Sequence, residues 1–274
     1  MKEDFDLKIF VCVKQVPGVS ELKIDPKTNT LVREGVESVI NPNDRNAIEL
    51  ALTLKEKHGA EVLVLSMGPP QAEEILRESI AMGADKGFLL TDRAFAGADT
   101  LATSYTLSLA IKKILKESDP EEKYLVICGA QAIDGDTGQV PPELAEELGI
   151  PQIAYVLSIE LNEEKIVAER KFRAVEIVVI ETKLPALISV LNDINKPRYP
   201  SMAGIMKAHD NSKITYYNAQ DLNADESKIG LNGSSTEVWK IFAPERKGNR
   251  VILRGTLEEI VQQLCQNLKD DKIL

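Results

Sequence analysis

The stretch YLVICGAQAIDGDTGQVPPELAEELG, residues 124–149, indicates the fold class because an apolar run, a polar turn and a helical pattern follow one another directly. The run YLVIC is typical of a strand buried on both faces. The turn at 131–143 lies between a strand end and a helix start, where free backbone N–H groups and the helix dipole usually hold anions. It nevertheless carries Asp134 and Asp136 and no lysine or arginine. The sequence therefore raises the question of what binds in so acidic a turn.

The same alternation of apolar runs and helical patterns fills the first half of the chain. It indicates right-handed crossovers and a doubly wound, mostly parallel α/β sheet. Glycine, proline, serine, threonine and aspartate dominate the segments after the predicted strands, where ligands of such sheets bind. Several such loops at one sheet edge favour a nucleotide-sized site, although the same residues also form ordinary turns and caps. The predicted strands are KIFVCV (8–13), EVLVLS (61–66), GFLLT (87–91) and YLVIC (124–128), and the predicted helices are 44–58, 70–83 and 99–117.

The pattern changes after Pro151. IAYVLSIEL, IVAERKF and EIVVIET predict an antiparallel meander, and LPALISVL (184–191) predicts one more strand of the main sheet. Beyond this strand the periodicity fades, and TLEEIVQQLCQNLKDD (256–271) predicts one amphipathic helix. Because long segments of weak structure are unusual inside a compact domain, we expect an α/β domain at 1–191 and an arm that wraps over a partner at 192–274.

Composition excludes several function classes. The formal net charge of -10 argues against nucleic acid as the main partner. No apolar run reaches the length of a membrane span and the N-terminus does not resemble a signal peptide, so we expect a cytoplasmic protein. The cysteines lack metal-binding spacing, and neither the P-loop nor the G-x-G-x-x-G fingerprint occurs. A divalent metal between Asp134 and Asp136 is an alternative, but we favour a capping or ribose-binding role for these carboxylates.

Five motifs occur in the order found in the β subunit of electron-transfer flavoproteins. They are VKQVP (13–17), NPND (41–44), GPPQAEEILRESIAMGAD (68–85), GAQAIDGDTGQV (129–140) and KPRYPSMAGIMKA (196–208). The chain resembles this family over nearly its whole length. The resemblance implies an α/β fold of the adenine-nucleotide-binding type and a heterodimer with a larger α subunit that carries its own FAD. It also implies that the C-terminal arm embraces the α subunit.

The resemblance also answers the question of the acidic turn. It implies that the loop at 131–140 holds the phosphates of an adenine nucleotide through backbone N–H groups, without basic side chains. Gly135 and Gly138 permit close approach, Thr137 adds a hydroxyl, and the aspartates brace the turn. The family usually has glycine and proline where two prolines, 141–142, stand here, so fewer N–H donors remain. The predicted cofactor contacts are Cys12, Asn41, Asp44, Met67, Asp99, Thr100, Thr103, Gly129, Gln131, Ala132, Ile133, Asp134, Gly135, Asp136, Thr137, Gly138, Gln139 and Val140.

Members of this family hold either structural AMP or a second FAD in the β subunit. The form DGDT (134–137) and the stretch AGADTLATSYTL (96–107) resemble the FAD-containing, electron-bifurcating members. Thr100 and Thr103 lie on one face of a helix start, where their hydroxyls could reach a flavin, although simple capping also accounts for them. FAD here implies that NADH delivers hydride to the β-subunit flavin. One electron then passes to the α-subunit FAD and a dehydrogenase, of the acyl-CoA or 2-hydroxyacid type, and the other to ferredoxin.

This chemistry belongs to the flavin, so we predict no catalytic side chain. The alternatives are a non-bifurcating subunit with AMP and a stand-alone adenine-nucleotide-binding domain. The segment NKPRYPSMAGIMKA (195–208) resembles the family's recognition loop for the dehydrogenase. Prolines stiffen it and exposed apolar side chains would anchor it, unless these side chains pack internally beneath the arm. The family commonly has leucine where Met202 stands. The predicted partner contacts are Pro197, Arg198, Tyr199, Met202, Ile205 and Met206.

Overall fold

The computed structural model describes residues 7–18, 38–118, 123–162, 165–173, 176–239 and 251–273. The larger of two compact units holds every described residue up to Trp239, and the smaller holds residues 251–273. The strands are β1 (Leu7–Cys12), β2 (Gln15–Pro17), β3 (Ser38–Ile40), β4 (Glu61–Met67), β5 (Lys86–Leu90), β6 (Lys123–Gly129), β7 (Gln152–Leu161), β8 (Lys165–Lys171), β9 (Ile177–Lys183), β10 (Ala186–Val190) and β11 (Ile214–Tyr217). The helices are α1 (Pro42–His58), α2 (Glu73–Met82), α3 (Thr100–Glu117), α4 (Val140–Leu148), α5 (Met202–Ala208) and α6 (Leu257–Asp270).

One nine-stranded sheet forms the frame of the larger unit, in the order β11-β5-β4-β1-β6-β10-β7-β8-β9. The strands from β11 to β7 are parallel, and β8 and β9 add an antiparallel extension. From β1 the chain passes to β4 and β5, then returns to β6 on the other side of β1. At such a switch point the loops from the two carboxyl ends diverge and open a crevice for a ligand. Cys12 of β1 and Cys128 of β6 are register partners at this point.

Apolar side chains on both faces of the parallel strands explain why helices cover the sheet on both sides. Successive strand residues point to opposite faces. Ile9 and Val11 of β1 belong to the core cluster that includes α1 and α2, whereas Phe10 packs in the cluster that includes α3 and α4. The predicted doubly wound α/β fold with an antiparallel extension is therefore confirmed.

The region after β10 has more regular structure than its sequence indicates. Strand β11 pairs in parallel with β5, and the Tyr217 ring stacks on that of Phe88 with centroids 5.9 Å apart. β11 has only four residues, of which the first and last, Ile214 and Tyr217, are buried and the middle two are exposed. Buried and exposed residues therefore do not alternate along this strand. Among the described residues, the larger compact unit ends at Trp239, and the domain boundary predicted at residue 191 stays a prediction. The wrapping of a partner by the C-terminal residues stays a prediction.

In the smaller unit, α6 confirms the helix predicted at 256–271. Its start is a capping box, in which Glu259 accepts a hydrogen bond from Thr256 N at 2.8 Å. The apolar side chains of Leu257, Val261 and Leu264 are exposed. Among the residues that the structure describes, no helix is both long and apolar enough to cross a membrane.

Candidate functional site

A large cavity lies at the carboxyl ends of β5, β4, β1 and β6, with a volume of about 1280 Å³. Adjacent strands are about 4.8 Å apart, so a cavity that crosses four strand ends extends over roughly 14 Å. Asn41, Ile133 and Asp134 are not part of its lining. The other predicted cofactor residues all line it, namely Cys12, Asp44, Met67, Asp99, Thr100, Thr103, Gly129, Gln131, Ala132, Gly135, Asp136, Thr137, Gly138, Gln139 and Val140.

The loop at 131–140, which we call the anion turn, has unpaired backbone donors at residues that line this cavity. The N–H groups of Thr137, Gly138, Gln139 and Val140 donate to no other described residue. Val140 is also the first residue of α4, so the helix dipole adds to the local positive potential. Gly138 has a φ of +62°, a left-handed conformation that glycine adopts at low cost. The four donors can therefore hold an anion without a basic side chain.

Asn41 does not line the cavity but forms hydrogen bonds with the anion turn. Its Nδ2 donates to Gln131 O and to Asp44 Oδ1, both at 2.9 Å, and its Oδ1 accepts from Ile133 N at 3.2 Å. Asn43 Nδ2 donates to the same carbonyl of Gln131 at 3.0 Å. Asn41 and the N–H of Ile133 thus support the turn, and the predicted cofactor contacts at both residues stay predictions.

Lys14 supplies the cation that the anion turn itself lacks. Its Nζ lies 2.8 Å from both carboxylate oxygens of Asp134. Asp136 accepts a hydrogen bond from Gln131 Nε2, and its own N–H donates to Ala132 O at 2.8 Å. Both aspartates therefore hold a neighbouring side chain in place, and the capping or ribose-binding role that we favour for them stays a prediction. The described residues contain no group of three or more His, Cys, Asp or Glu side chains that could hold a metal ion.

Asp44 is a buried carboxylate at the floor of the cavity. Burial raises the pKa of Asp44 to about 7, although hydrogen bonds from Asn41 Nδ2 at 2.9 Å and Lys14 N at 2.8 Å favour the charged form. A Cβ added to Gly129 would lie 2.2 Å from Asp44 Oδ1. Glycine is therefore required at position 129 for α1 to approach the end of β6 so closely.

The first turn of α3 borders the cavity beside the anion turn. Asp99 caps this helix, since its Oδ1 accepts from Ala102 N at 3.1 Å, and its Oδ2 accepts from Thr236 N at 3.0 Å. Burial raises the pKa of Asp99, but these hydrogen bonds outweigh it and keep the pKa below its ordinary value. Thr100 and Thr103 both line the cavity. Asp99 thus fixes the helix start, and the two threonines offer hydroxyls to a ligand.

Sequence reasoning missed several residues that line the cavity. Lys14 directly follows a predicted strand, Cys128 ends one, and Arg93 lies two residues after one, so the rule that ligands bind at strand ends could have found them. Arg93 is exposed and forms no ion pair with a described residue. Residues 236–238 also line the cavity, but they come from a part of the chain without any periodic signal.

Comparison with known proteins identifies the family. The family described as "Electron transfer flavoprotein domain" matches residues 28–219. The chain is 46% identical over 268 residues to "Electron transfer flavoprotein subunit beta" of Thermoanaerobacterium thermosaccharolyticum, across 98% of this chain and 100% of that protein. The chain belongs to the beta-subunit family of electron transfer flavoproteins.

Two further relatives in this family are named as parts of larger complexes. "Caffeyl-CoA reductase-Etf complex subunit CarD" of Acetobacterium woodii is 46% identical over 270 residues, across 98% of this chain and 100% of that protein. "Acryloyl-CoA reductase electron transfer subunit gamma" of Anaerotignum propionicum is 42% identical over 274 residues, with the same two coverages.

Residues 195–208, which we call the docking segment, lie apart from the cavity lining. Tyr199, Met202 and Met206 are 86%, 76% and 73% exposed, and Ile205 is also exposed. Within the described residues these side chains are therefore not packed in the core, and their contact with a partner, instead of packing beneath the arm, stays a prediction. Pro197 is half-buried.

Arg198 differs from the other residues predicted to contact a partner. Its guanidinium binds Glu49 and Glu56 of α1, with N–O distances of 2.9 Å and 2.5 Å. These intrachain ion pairs give Arg198 a role inside the chain, and its predicted contact with a partner stays a prediction. No local pattern predicts this pairing, since Glu56 and Glu49 lie 142 and 149 residues from Arg198 along the chain.

Proposed function

We propose that this chain is the β subunit of a heterodimeric electron transfer flavoprotein that binds FAD in the switch-point cavity. In this proposal the heterodimer accepts hydride from NADH and divides the electrons between the FAD of the α subunit and ferredoxin. The observation that carries the proposal is the extent of the cavity, which runs from the anion turn to the loop after β5. Two relatives are named for a caffeyl-CoA reductase-Etf complex and for acryloyl-CoA reductase, which supports a role beside such enzymes.

The size of the cavity favours a dinucleotide over AMP. Pockets for drug-sized ligands measure about 300–1,000 Å³. The cavity of about 1280 Å³ is larger, and its four-strand width leaves room beyond a single mononucleotide. AMP would occupy the anion turn and leave the loop after β5 without a ligand contact. FAD therefore accounts for more of the lining than AMP does.

The residues of the cavity fit the polar and apolar parts of FAD. The N–H groups of residues 137–140 are suited to the pyrophosphate, and the hydroxyls of Thr100 and Thr103 add neutral donors nearby. Phe95 and Leu107 provide apolar lining that excludes water. FAD, when bound, supplies the exchange between two-electron and one-electron transfer. The chain's own residues bind and orient it, and none of them needs to act as an acid or nucleophile.

The partners follow from the same proposal. The α subunit would cover the exposed apolar side chains of α6, and the docking segment would contact a flavin-dependent dehydrogenase. The names of the two relatives favour a dehydrogenase of the acyl-CoA type over one that acts on 2-hydroxyacids. The net charge of -10 gives no support to nucleic acid as a partner.

A coupled assay under anaerobic conditions tests this function. The heterodimer is mixed with NADH, ferredoxin, an acyl-CoA dehydrogenase and its enoyl-CoA substrate. We expect reduced ferredoxin to accumulate only when the enoyl-CoA acceptor is also present, because both electrons must leave together. Electron transfer to the dehydrogenase from another donor, without any NADH-driven reduction of ferredoxin, would instead support the non-bifurcating alternative with AMP.

A further inference from the structure

The docking segment is tied to α1 by a compact ion-pair cluster. Arg198 N and Nε both donate to Glu49 Oε2 at 2.9 Å, and Nη2 donates to Glu49 Oε1 at 2.9 Å. Nη1 donates to Glu56 Oε1 at 2.5 Å. Hydrogen bonds to Glu49 and Glu56 raise the pKa of Arg198 above its ordinary value, and Arg198 lowers the pKa of Glu56. The arginine thus stays charged, and its fork binds the Glu49 carboxylate in the bidentate geometry that specifies one orientation.

Glu49 itself is not available to a partner. It is only 8% exposed and lies in the middle of α1. A buried carboxylate needs a partner for its charge, and Arg198 provides it. An effect of Glu49 on docking would therefore have to act through Arg198 and the backbone of the docking segment.

Further contacts fix both ends of the same segment. At its start, Asn46 Nδ2 donates to Asn195 O at 2.9 Å and to the nearby Asn192 O at 3.1 Å, and Asn195 Nδ2 donates back to Asn46 O at 3.0 Å. At its end, Arg77 Nη1 donates to Ala208 O at 2.5 Å. The helices α1 and α2 thus anchor the two ends, which leaves the exposed apolar side chains on a braced backbone.

Helix α5 lies directly on α2 through a position where only glycine fits. A Cβ added to Gly204 would lie 2.0 Å from Ala81 O, and Ser201 Oγ accepts from Gly204 N at 2.9 Å. This contact turns the backbone towards α2, while Met202 and Met206 stay exposed. The segment therefore has a defined shape before any partner arrives.

We propose that Arg198 is a positioning residue, whose ion pair with Glu49 holds the docking segment in the conformation that binds the dehydrogenase. This inference rests on the proposed function of that segment. A segment that is already ordered loses less conformational entropy on binding, so its affinity is higher without any added contact. The same helix borders the cavity through Asp44, so the anchor also fixes the docking surface relative to the cofactor site.

The test compares Arg198→Gln with Glu49→Gln in the full heterodimer, with an acyl-CoA dehydrogenase as the acceptor. We expect both variants to raise the KM for the dehydrogenase roughly tenfold, with kcat and flavin content unchanged, since about one or two side chains would have to be ordered on binding. Hydrogen exchange of the backbone amides at 199–206 should become faster in both. The control is Arg173→Gln, because Arg173 is an exposed arginine that pairs with Glu176 at 3.8 Å, outside this segment. It should change neither quantity.

Several outcomes separate positioning from its alternatives. A raised KM in Arg198→Gln with a normal KM in Glu49→Gln would mean that Arg198 contacts the dehydrogenase directly, and would overturn the proposal. If either variant fails to fold, Arg198→Lys is tested in its place, since lysine keeps the positive charge but lacks the bidentate guanidinium. An unchanged KM and unchanged amide exchange in Arg198→Lys would also overturn the proposal.

Met202→Ala tests the docking function separately. A KM in Met202→Ala equal to that of the wild type would contradict the proposed docking function. Amide exchange at 199–206 that is no faster in Glu49→Gln than in the wild type would contradict the proposal that Glu49 anchors the segment.

Discussion

The anion turn and the docking segment both lie against α1, but the first leaves backbone groups unpaired and the second leaves apolar side chains exposed. The anion turn lines the cavity with residues whose backbone N–H groups are unpaired, while its aspartates and Gln131 form contacts within the chain. The docking segment offers apolar side chains to solvent, while its backbone and Arg198 are bound by neighbouring helices. Ligand binding by the backbone of the anion turn therefore depends on the conformation of its glycines. Partner binding by the side chains of the docking segment depends on how firmly neighbouring helices hold its backbone.

The two regions should therefore respond to different substitutions. Changes of backbone geometry in the anion turn should remove the cofactor and spare docking. Truncated side chains in the docking segment should weaken docking and spare the cofactor. Helix α1 supports both, through Asn41 and Asn43 at its start and Glu49 further along.

The largest effect is expected for Gly138→Pro. Proline requires a φ near about -65° and has no N–H, whereas Gly138 has a φ of +62° and presents an unpaired donor. We expect the β-subunit cofactor to be lost while the flavin of the α subunit is kept, as measured by flavin content after purification. Gly149→Ala is the control, because it changes another left-handed glycine, with a φ of +70° and no atom within 4 Å of an added Cβ, that does not line the cavity. Equal flavin content in Gly138→Pro and the wild type would contradict the role of the anion turn.

Asp44→Asn should alter the pH dependence of stability on the cofactor side. Burial raises the pKa of Asp44 to about 7, so the folded state binds this proton more tightly than the unfolded state does. The resulting stabilisation is complete below the unfolded pKa of about 4 and is lost as the pH rises through 7. Asparagine removes this titration. Between pH 5 and pH 7, the free energy of unfolding should therefore fall by ~2 kcal/mol less in the variant than in the wild type. Urea denaturation at the two pH values measures the difference, and parallel curves for the variant and the wild type would show that Asp44 is charged throughout.

Met202→Ala is the matching change in the docking segment. Loss of an exposed anchor should raise the KM for the dehydrogenase roughly tenfold, which corresponds to about 1.4 kcal/mol. Flavin content and thermal stability should not change, because the side chain is 76% exposed. A loss of stability with normal transfer to the dehydrogenase would show that Met202 is structural and would remove the contrast between the two regions.

The smallest effect is expected for the double variant Thr100→Val and Thr103→Val. Valine is close to threonine in volume but lacks the hydroxyl, so the fold should remain intact. Thr100 Oγ1 lies 3.2 Å from Glu143 Oε1, so part of its hydrogen bonding is internal. We expect weaker FAD binding or a shifted flavin potential, measured by equilibrium titration and redox titration. If affinity and potential both stay the same, the threonines only form the start of α3.

Most of the sheet could be predicted because its strands are continuous apolar runs between helices. The predicted run at 61–66 agrees with β4 (Glu61–Met67) to within one residue, and the glycines and aspartates at the strand ends indicated the correct edge. β11 could not be predicted in this way, because four residues at the border of a sheet carry too little pattern.

The site was predictable where one motif forms it and not where distant residues meet. The anion turn lies within ten consecutive residues, so its glycines and its place before α4 were visible in the sequence. The pairing of Lys14 with Asp134 joins residues 120 positions apart, and that of Arg198 with Glu49 joins residues 149 positions apart. Such contacts depend on how strands and helices pack, which the local pattern does not specify.

The nucleotide content of the purified heterodimer tests the central claim most directly. The complex is denatured, and its released nucleotides are separated and counted against protein. The proposed function predicts two FAD and no AMP per heterodimer, with one FAD missing in Gly138→Pro. One FAD together with one AMP would contradict it, and would mean that the cavity of about 1280 Å³ holds a mononucleotide with space to spare.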